Sequence, residues 1–157
     1  TRKPDVEDTK DHTEQTAIAL FSELLMADQL VRSRLAKAMP KGMELSHFSV
    51  LHHLARSGGE RSPAELARTF NVTRGAMTNT LAKLEWAGYV HVRPDWDDAR
   101  RKNVSVSTAG IRARDDALAA IAPILNGAVE AIGTDKVRSA LPVLRQLRAE
   151  FSDEAKS

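Results

Sequence analysis

Cysteine is absent from all 157 residues of the sequence. Without thiols, the chain cannot form a disulfide framework, a thiolate metal site or a cysteine-based redox sensor. Long hydrophobic stretches are absent too, because no run of about 18 apolar residues occurs and residues 1–11 are polar where a signal peptide needs an apolar segment. We therefore expect a cytoplasmic protein that is neither exported nor embedded in a membrane.

Sequence motifs of catalysis are also missing. There is no glycine-rich phosphate loop, no nucleophile elbow and no pair of carboxylates in an obvious pocket. His47, His52 and His53 do not suggest a zinc site, because on a helix they point at least about 100° apart. We therefore predict no enzyme activity, no cofactor and no metal, and we interpret the histidines as surface or interface residues.

The composition that remains is that of an ordinary globular protein, with 42% hydrophobic and 28% charged residues. The length suits one domain, which we predict at residues 12–157 after a disordered segment at residues 1–11. The net charge of +2 is too small to identify a nucleic-acid partner, so the distribution of charge has to decide.

Three helices are predicted in the first half of the chain. Apolar residues at spacings of three and four indicate an amphipathic helix at residues 13–38. A second helix is predicted to begin with Ser46 as its N-cap and to end at the next glycine pair. The third has the strongest start signal, with Ser62 as N-cap, Pro63 after it and Glu65 completing a capping box.

A fourth helix and a hairpin follow. Thr73 is the predicted N-cap of a helix that extends to residue 87. Alternating polar and apolar residues at 89–92 and 102–106, on either side of a polar loop at 94–99, predict two antiparallel strands. Together with the two preceding short helices, the hairpin predicts a winged helix-turn-helix at residues 45–106.

Two further helices are predicted after the hairpin. Ser107 or Thr108 caps a long one, and residues 133–135 separate it from a last helix that carries Val137 and Leu141. Pro142 leaves the start of this last helix open, since a start at Ser139 would place the proline in the first turn, where it costs little. The fold class is therefore mainly α with a small antiparallel β-wing.

The fourth helix is the candidate recognition helix, which in this motif enters the DNA major groove. Met77, Leu81 and Leu84 would face the core. The remaining side chains suit DNA contact, because asparagine can read adenine, arginine can read guanine, and threonine or lysine can bind phosphates. The candidate DNA-binding residues of this helix are Thr73, Arg74, Gly75, Thr78, Asn79 and Lys83.

An exposed helix face is polar in most proteins, so this face alone is weak evidence for DNA binding. The wing is the stronger evidence. Between residues 56 and 103, nine basic residues stand against six acidic ones, with the basic residues concentrated at the wing. Such a cluster beside a hairpin tip suits minor-groove and phosphate contact. The basic candidates are Arg93, Arg100, Arg101 and Lys102. Trp86 is predicted to pack between the recognition helix and the wing.

The helices outside the winged region, at residues 12–39 and 107–152, carry apolar stripes too long for a small winged domain to cover. We expect them to bury these stripes against a second copy of the chain as dimerisation helices. The alternative is that they fold back on the core of their own chain.

Several segments resemble the multiple antibiotic resistance regulator (MarR) family. They are Leu45-Ser46-His47-Phe48-Ser49-Val50-Leu51, Ser62-Pro63-Ala64-Glu65-Leu66-Ala67, Leu81-Ala82-Lys83-Leu84-Glu85-Trp86-Ala87-Gly88-Tyr89-Val90, Asp98-Ala99-Arg100 and Val104-Ser105-Val106-Ser107-Thr108-Ala109-Gly110. Two positions depart from the family pattern. Ala99 stands where an arginine is frequent, and Ser107 stands where leucine is more usual before the capping threonine, here Thr108.

The resemblance implies a DNA-binding transcription regulator, a repressor that binds a pseudo-palindromic operator in double-stranded DNA as a homodimer. It implies that Arg100 enters the minor groove and that Asp98 orients its guanidinium. It also implies a small aromatic or phenolic effector in a cleft between the dimerisation helices and the winged lobe. The alternative function is a winged-helix module that binds a protein without specific DNA readout.

Overall fold

The computed structural model describes residues 6–98 and 100–152 of the chain. In chain order, these residues form α1 (Val6–Ala38), α2 (Leu45–Ser57), α3 (Pro63–Phe70), α4 (Arg74–Trp86), β1 (Val90–Pro94), β2 (Lys102–Val106), α5 (Thr108–Ile132) and α6 (Thr134–Glu150). The predicted fold class, mainly helical with one antiparallel hairpin, is confirmed.

Three of the predicted helix caps are confirmed. The Ser62 hydroxyl accepts a hydrogen bond from the Glu65 backbone amide, and Thr73 accepts one in the same way from Ala76. The Ser107 hydroxyl accepts from the Gly110 amide, so Ser107 is the cap and Thr108 is the first helical residue. Ser107 therefore takes the place of the family's capping threonine, which we had assigned to Thr108. It does not correspond to the leucine that precedes that threonine in the family.

The predicted start of α2 was wrong by two residues, because the N-cap is not Ser46. The helix begins at Leu45, and its N-cap is Glu44, whose side chain makes no capping hydrogen bond. A turn closes earlier than expected, since the amide of Met43 donates to the carbonyl of Pro40 at 3.0 Å. The chain is already extended at Glu44, and the first helical bond runs from Phe48 to that residue.

The predicted boundary at the start of the chain was also wrong. Helix α1 begins at Val6, so residues 6–11 are helical where disorder was predicted; residues 1–5 lie outside the described part. Polar side chains bridge successive turns there, as when Thr13 donates to the carbonyl of Thr9. At the other end, the start that the sequence left open lies at Thr134, which places Pro142 in the interior of α6.

The winged lobe is built around one hydrophobic core. Leu51, Leu66, Leu84 and Val104, contributed by α2, α3, α4 and β2, are almost completely inaccessible to solvent. The hairpin pairs β1 with β2 from Val90 opposite Val106 to Pro94 opposite Lys102. Arg61 adds a backbone bridge to Val104, so the segment before α3 lies along the outer edge of the wing.

A second, smaller core joins the winged lobe to the long C-terminal helix. Phe48 of α2 packs with Ala117 and Ile121 of α5, and all three are buried. The middle of α1 meets the C-terminal end of α6 through an edge-to-face contact between Phe21 and Phe151, whose ring centroids are 5.8 Å apart.

Helices α1, α5 and α6 leave a large apolar surface uncovered in the single chain. Their large hydrophobic residues with more than a third of their surface exposed are Ile18, Leu20, Leu25, Met26, Leu30, Val31, Ile111, Leu125, Ile132, Leu141, Val143 and Leu144. The protein's own core therefore does not bury these stripes. Within the described residues, no single helix is long and apolar enough to cross a membrane, although α5 and α6, bent by 104° at their junction, would pass that test together by length and composition alone.

Candidate nucleic-acid interface

The turn between α3 and α4 sets the angle of a helix-turn-helix. Asn71 ends α3 in the left-handed conformation, with φ of 49°, which asparagine tolerates better than most residues. The amide of Val72 returns to the carbonyl of Ala67 at 3.0 Å. Thr73 then starts α4, so only three residues separate the two helices.

The two sides of α4 differ as the sequence predicted. Met77, Leu81 and Leu84 are buried against the core of the winged lobe. The six candidate DNA-binding residues are all exposed: Thr73, Arg74, Gly75, Thr78, Asn79 and Lys83. The structure thus offers a polar surface on α4 that no other described residue covers.

The wing loop is held by two aspartates. Beyond the last hairpin pair, the amide of Asp95 donates to the carbonyl of Arg101 at 3.1 Å. The Asp95 carboxylate accepts from the amide of Asp97 and from the Asn103 side chain. The Asp97 hydrogen bond is the main reason that the pKa of Asp95 lies below its ordinary value, with smaller lowering contributions from Asn103 and Arg101.

Asp98 organises the cations at the tip. Its Oδ1 accepts from the backbone amide of Arg100 at 3.0 Å and from the Nε of the same residue at 3.2 Å. Its second oxygen lies 3.9 Å from the Nε of Arg101. Both arginine side chains nevertheless remain exposed, at 91% for Arg100 and 74% for Arg101, so their terminal nitrogens are available to a ligand.

Arg93 is in a different environment from the other wing cations. Its Nε and Nη2 each donate to one oxygen of Glu60 at 2.5 Å, which makes a two-bonded ion pair between the segment before α3 and strand β1. The guanidinium also lies 5.6 Å from the ring centroid of Trp96. Arg93 is therefore paired within the chain, whereas Lys102 lies exposed at the same end of the hairpin.

A groove of about 580 Å³ separates the recognition helix from the wing. Arg74 and Thr78 line it from α4, and Arg100 and Lys102 line it from the wing. Arg68 of α3 adds a further cation to the same groove. The lining also holds the carboxylates Glu65, Glu85 and Asp95, against five cations, so its net charge is positive. Candidate residues 26 positions apart in the sequence thus lie on opposite walls of one groove.

The prediction for Trp86 was wrong. Its side chain is 94% exposed, so it does not pack between the recognition helix and the wing. Position 86 lies about 180° around α4 from Met77, which faces the core, and this angle points Trp86 away from the lobe. We predicted burial because tryptophan is a large aromatic residue, but the position of Trp86 around the helix places its side chain in solvent.

The histidines occupy separate environments. His47 is buried with its Nε2 3.6 Å from a carboxylate oxygen of Glu44, while His53 contacts the edge of Phe70. His52 stacks on Phe48, and burial, followed by the nearby charge of Arg114, lowers its pKa. Among the residues with described positions, no three histidine or carboxylate side chains are grouped to hold a metal ion.

Comparison with known proteins identifies this architecture. Residues 41–101, which hold the helix-turn-helix and most of the wing, match the family model described as MarR family. The resemblance to the MarR family is confirmed. No curated protein sequence matches the chain.

Solved structures extend the MarR likeness over most of the chain. A mutant MarR from E. coli complexed with operator DNA has a TM-score of 0.72 at 23% identity, over 84% of this chain and 95% of that one. A MarR-family transcriptional regulator from Rhodococcus sp. RHA1 has a TM-score of 0.75 at 22% identity, over 83% and 94%. The transcriptional regulator BldR from Sulfolobus solfataricus has 0.69 at 22%, over 94% and 99%. The fold is thus that of MarR-family transcription regulators, from α1 to α6.

Sequence reasoning missed Glu60, and it left open whether Trp96 covers the hairpin or lies against DNA sugars. Glu60 lies 33 positions before Arg93, and no periodic pattern links them. A lone carboxylate after the glycine pair was the only available signal. Trp96 was visible in the sequence as a tryptophan in a polar loop, but its contact with Arg93 depends on how the hairpin folds.

Proposed function

We propose that this protein is a sequence-specific DNA-binding transcription regulator that represses by occupying a pseudo-palindromic operator as a homodimer. The observation that carries the proposal is the cationic groove in which Arg74 and Thr78 of α4 face Arg100 and Lys102 of the wing. Major-groove readout by a helix and minor-groove contact by a wing require such a pair of surfaces. The operator complex of the E. coli relative supports the same reading.

The roles follow from the chemistry of each side chain. Asn79 and Arg74 read base edges, since their side chains can form two hydrogen bonds with adenine and guanine respectively. Thr73, Thr78 and Lys83 contact phosphates, and Gly75 allows the helix backbone to approach the DNA closely. Arg100 enters the minor groove, with Asp98 fixing its Nε while leaving the rest of the guanidinium free.

Arg101 and Lys102 complete the wing as phosphate contacts. Arg93, which the sequence placed in the same group, contributes its charge from within an ion pair and therefore acts on the wing more than on the DNA. Dimerisation is supported by the uncovered apolar residues of α1, α5 and α6. A twofold dimer presents two recognition helices to half-sites about 34–36 Å apart, one turn of DNA.

An aromatic or phenolic effector releases the operator in this proposal. The junction at Phe48, Ala117 and Ile121 is the only buried core between the winged lobe and α5 among the described residues. A ligand that changes the packing there would change the separation of the two recognition helices, and with it the operator affinity. A panel of phenols and aromatic acids, tested for displacement of bound operator, tests the effector separately from DNA binding. If no compound displaces the operator, the effector is excluded from the proposal while DNA binding stands.

The experiment that tests DNA binding has two stages. Duplexes that bind the full chain are selected from a random pool, and the recovered duplex is then titrated at several salt concentrations. We expect enrichment of a two-half-site sequence and a linear fall of log affinity with log salt concentration, by about 0.9 for each phosphate contact. Failure to enrich any sequence, or an affinity indifferent to salt, would favour the protein-interaction module instead.

A further inference from the structure

Trp96 is the most exposed aromatic residue of the wing, with 88% of its surface accessible. A tryptophan in this position leaves a large apolar surface in water without burying any of the core. In the described part of its loop, the carboxylates of Asp95 and Asp98 accept hydrogen bonds from the backbone amides of Asp97 and Arg100. Trp96 is thus exposed although hydrogen bonds hold the residues on both sides of it.

Trp96 belongs to the same loop as the cation that enters the minor groove in the proposed function. The backbone bond from Asp95 to Arg101 closes this loop. Trp96 follows the first of these residues and Arg100 precedes the second, so both belong to the tip of the wing. The two side chains differ in chemistry, since one offers charge and the other offers apolar area.

The indole of Trp96 contacts Arg93 of strand β1. The guanidinium of Arg93 lies 5.6 Å from its ring centroid, within the range of a cation–π contact. Glu60 fixes that guanidinium through two hydrogen bonds, and Glu60 itself belongs to the segment bridged to β2 next to Arg61. A chain of contacts therefore connects the edge of the winged core to Trp96.

We propose that Trp96 is a DNA-contacting residue that lies against the deoxyribose wall of the minor groove beside Arg100, and that Glu60 and Arg93 are positioning residues for it. The inference rests on the proposed function. Duplex DNA is the partner that the wing favours, because the exposed ring belongs to the same hairpin end as the exposed cations Arg100, Arg101 and Lys102. Apolar side chains beside basic ones are a recurrent means of contacting the minor groove.

The two possible roles of Arg93, positioning Trp96 or binding a phosphate, predict opposite effects of Glu60→Gln on DNA affinity. If Arg93 bound a phosphate, Glu60→Gln would release its cation from a competing carboxylate, and DNA affinity would rise. If Arg93 holds Trp96, Glu60→Gln loosens the ring and affinity falls by about 3- to 10-fold, while the dependence on salt concentration keeps its slope because no phosphate contact is lost. The sign of the change separates the two roles.

The chain has only two tryptophans, so Trp86→Phe leaves Trp96 as the sole tryptophan fluorophore. With the selected duplex, we expect the emission of this variant to shift and its quenching by acrylamide to decrease on binding. Adding Trp96→Ala should weaken binding by about 5- to 30-fold with an unchanged salt slope, and Trp96→Phe should restore part of the loss.

The outcomes distinguish the inference from the proposed function. If the unmodified chain binds no duplex, both are overturned. If it binds with normal salt dependence while Trp96→Ala binds equally well and acrylamide quenching does not change, the inference alone is overturned. An increase in affinity for Glu60→Gln would assign Arg93 to the DNA and remove its positioning role.

Discussion

The backbone of Gly110 lies directly against the carbonyl of Tyr89, so that a Cβ atom at this position would be 2.0 Å from the Tyr89 oxygen. This contact is where the first turn of α5 meets the start of the wing. The Ser107 hydroxyl reinforces it, because it donates to the carbonyl of Gly88 at 2.6 Å while capping α5 through the amide of Gly110. The close approach joins the N-terminal turn of α5 to the winged lobe.

Gly110→Ala should therefore destabilise the fold. The methyl group meets backbone atoms that cannot rotate away, so we expect a loss of about 1 to 3 kcal/mol or more in the free energy of unfolding. Gly127→Ala is the matched control, since Gly127 lies in the same helix with no atom within 4 Å of its added Cβ. The control should gain about 0.5 to 1 kcal/mol from helix propensity. Equal thermal midpoints for the two variants would contradict the close packing.

Arg100→Ala and Lys83→Ala should affect operator binding in different ways. Arg100→Ala removes the proposed minor-groove contact, for which we expect a loss of about 1 to 3 kcal/mol and weaker discrimination between sequences. Lys83→Ala removes a phosphate contact, so its affinity should fall alike for all sequences and its salt slope should decrease by about 0.9. Titrations with operator and scrambled duplex measure both effects. An Arg100→Ala titration that matches the unmodified protein would exclude the wing from recognition.

The uncovered stripe on α1 makes a prediction about assembly. Leu25 is 65% exposed in the single chain, and in the proposed dimer it becomes buried. An aspartate there would place a charge in an apolar interface, so Leu25→Asp should yield a monomer by sedimentation and lose tight operator binding. Val72→Asp is the control for the sedimentation measurement alone, because Val72 is 43% exposed and lies away from this stripe but next to the proposed phosphate contact Thr73. A dimeric Leu25→Asp protein would be evidence for a different interface.

His52 should make stability depend on pH. Burial lowers its pKa below the ordinary value of 6.5, and Arg114 of α5 with Arg56 and His53 of α2 lower it further. The folded state then binds the proton less readily than the unfolded state, so stability is fully present above pH 6.5 and decreases as the pH falls below it. Denaturant unfolding at pH 7.5 and 5.5 should show this loss, and His52→Asn should reduce it. An identical pH dependence in His52→Asn would attribute the loss to other groups.

Most of the secondary structure of the winged lobe could be predicted from local sequence patterns. Ser62 and Thr73 form the caps that their positions predict, because a hydroxyl at an N-cap reaches an amide only three residues away. The burial of Met77, Leu81 and Leu84 also follows from helical spacing. The polarity of residues 6–11 was a poor guide, since polar residues form a helix when neighbouring structure extends into them.

The order of the elements, the exposed polar face of α4 and the cations of the wing could be predicted from the sequence, because each depends on residues a few positions apart. Three other relationships are visible only in the folded chain: Arg74 and Arg100 share a groove, Gly110 touches Tyr89, and Arg93 pairs with Glu60. These relationships join residues from about 20 to 33 positions apart. Their geometry is set by how the helices pack on the hairpin, and no local periodicity encodes it.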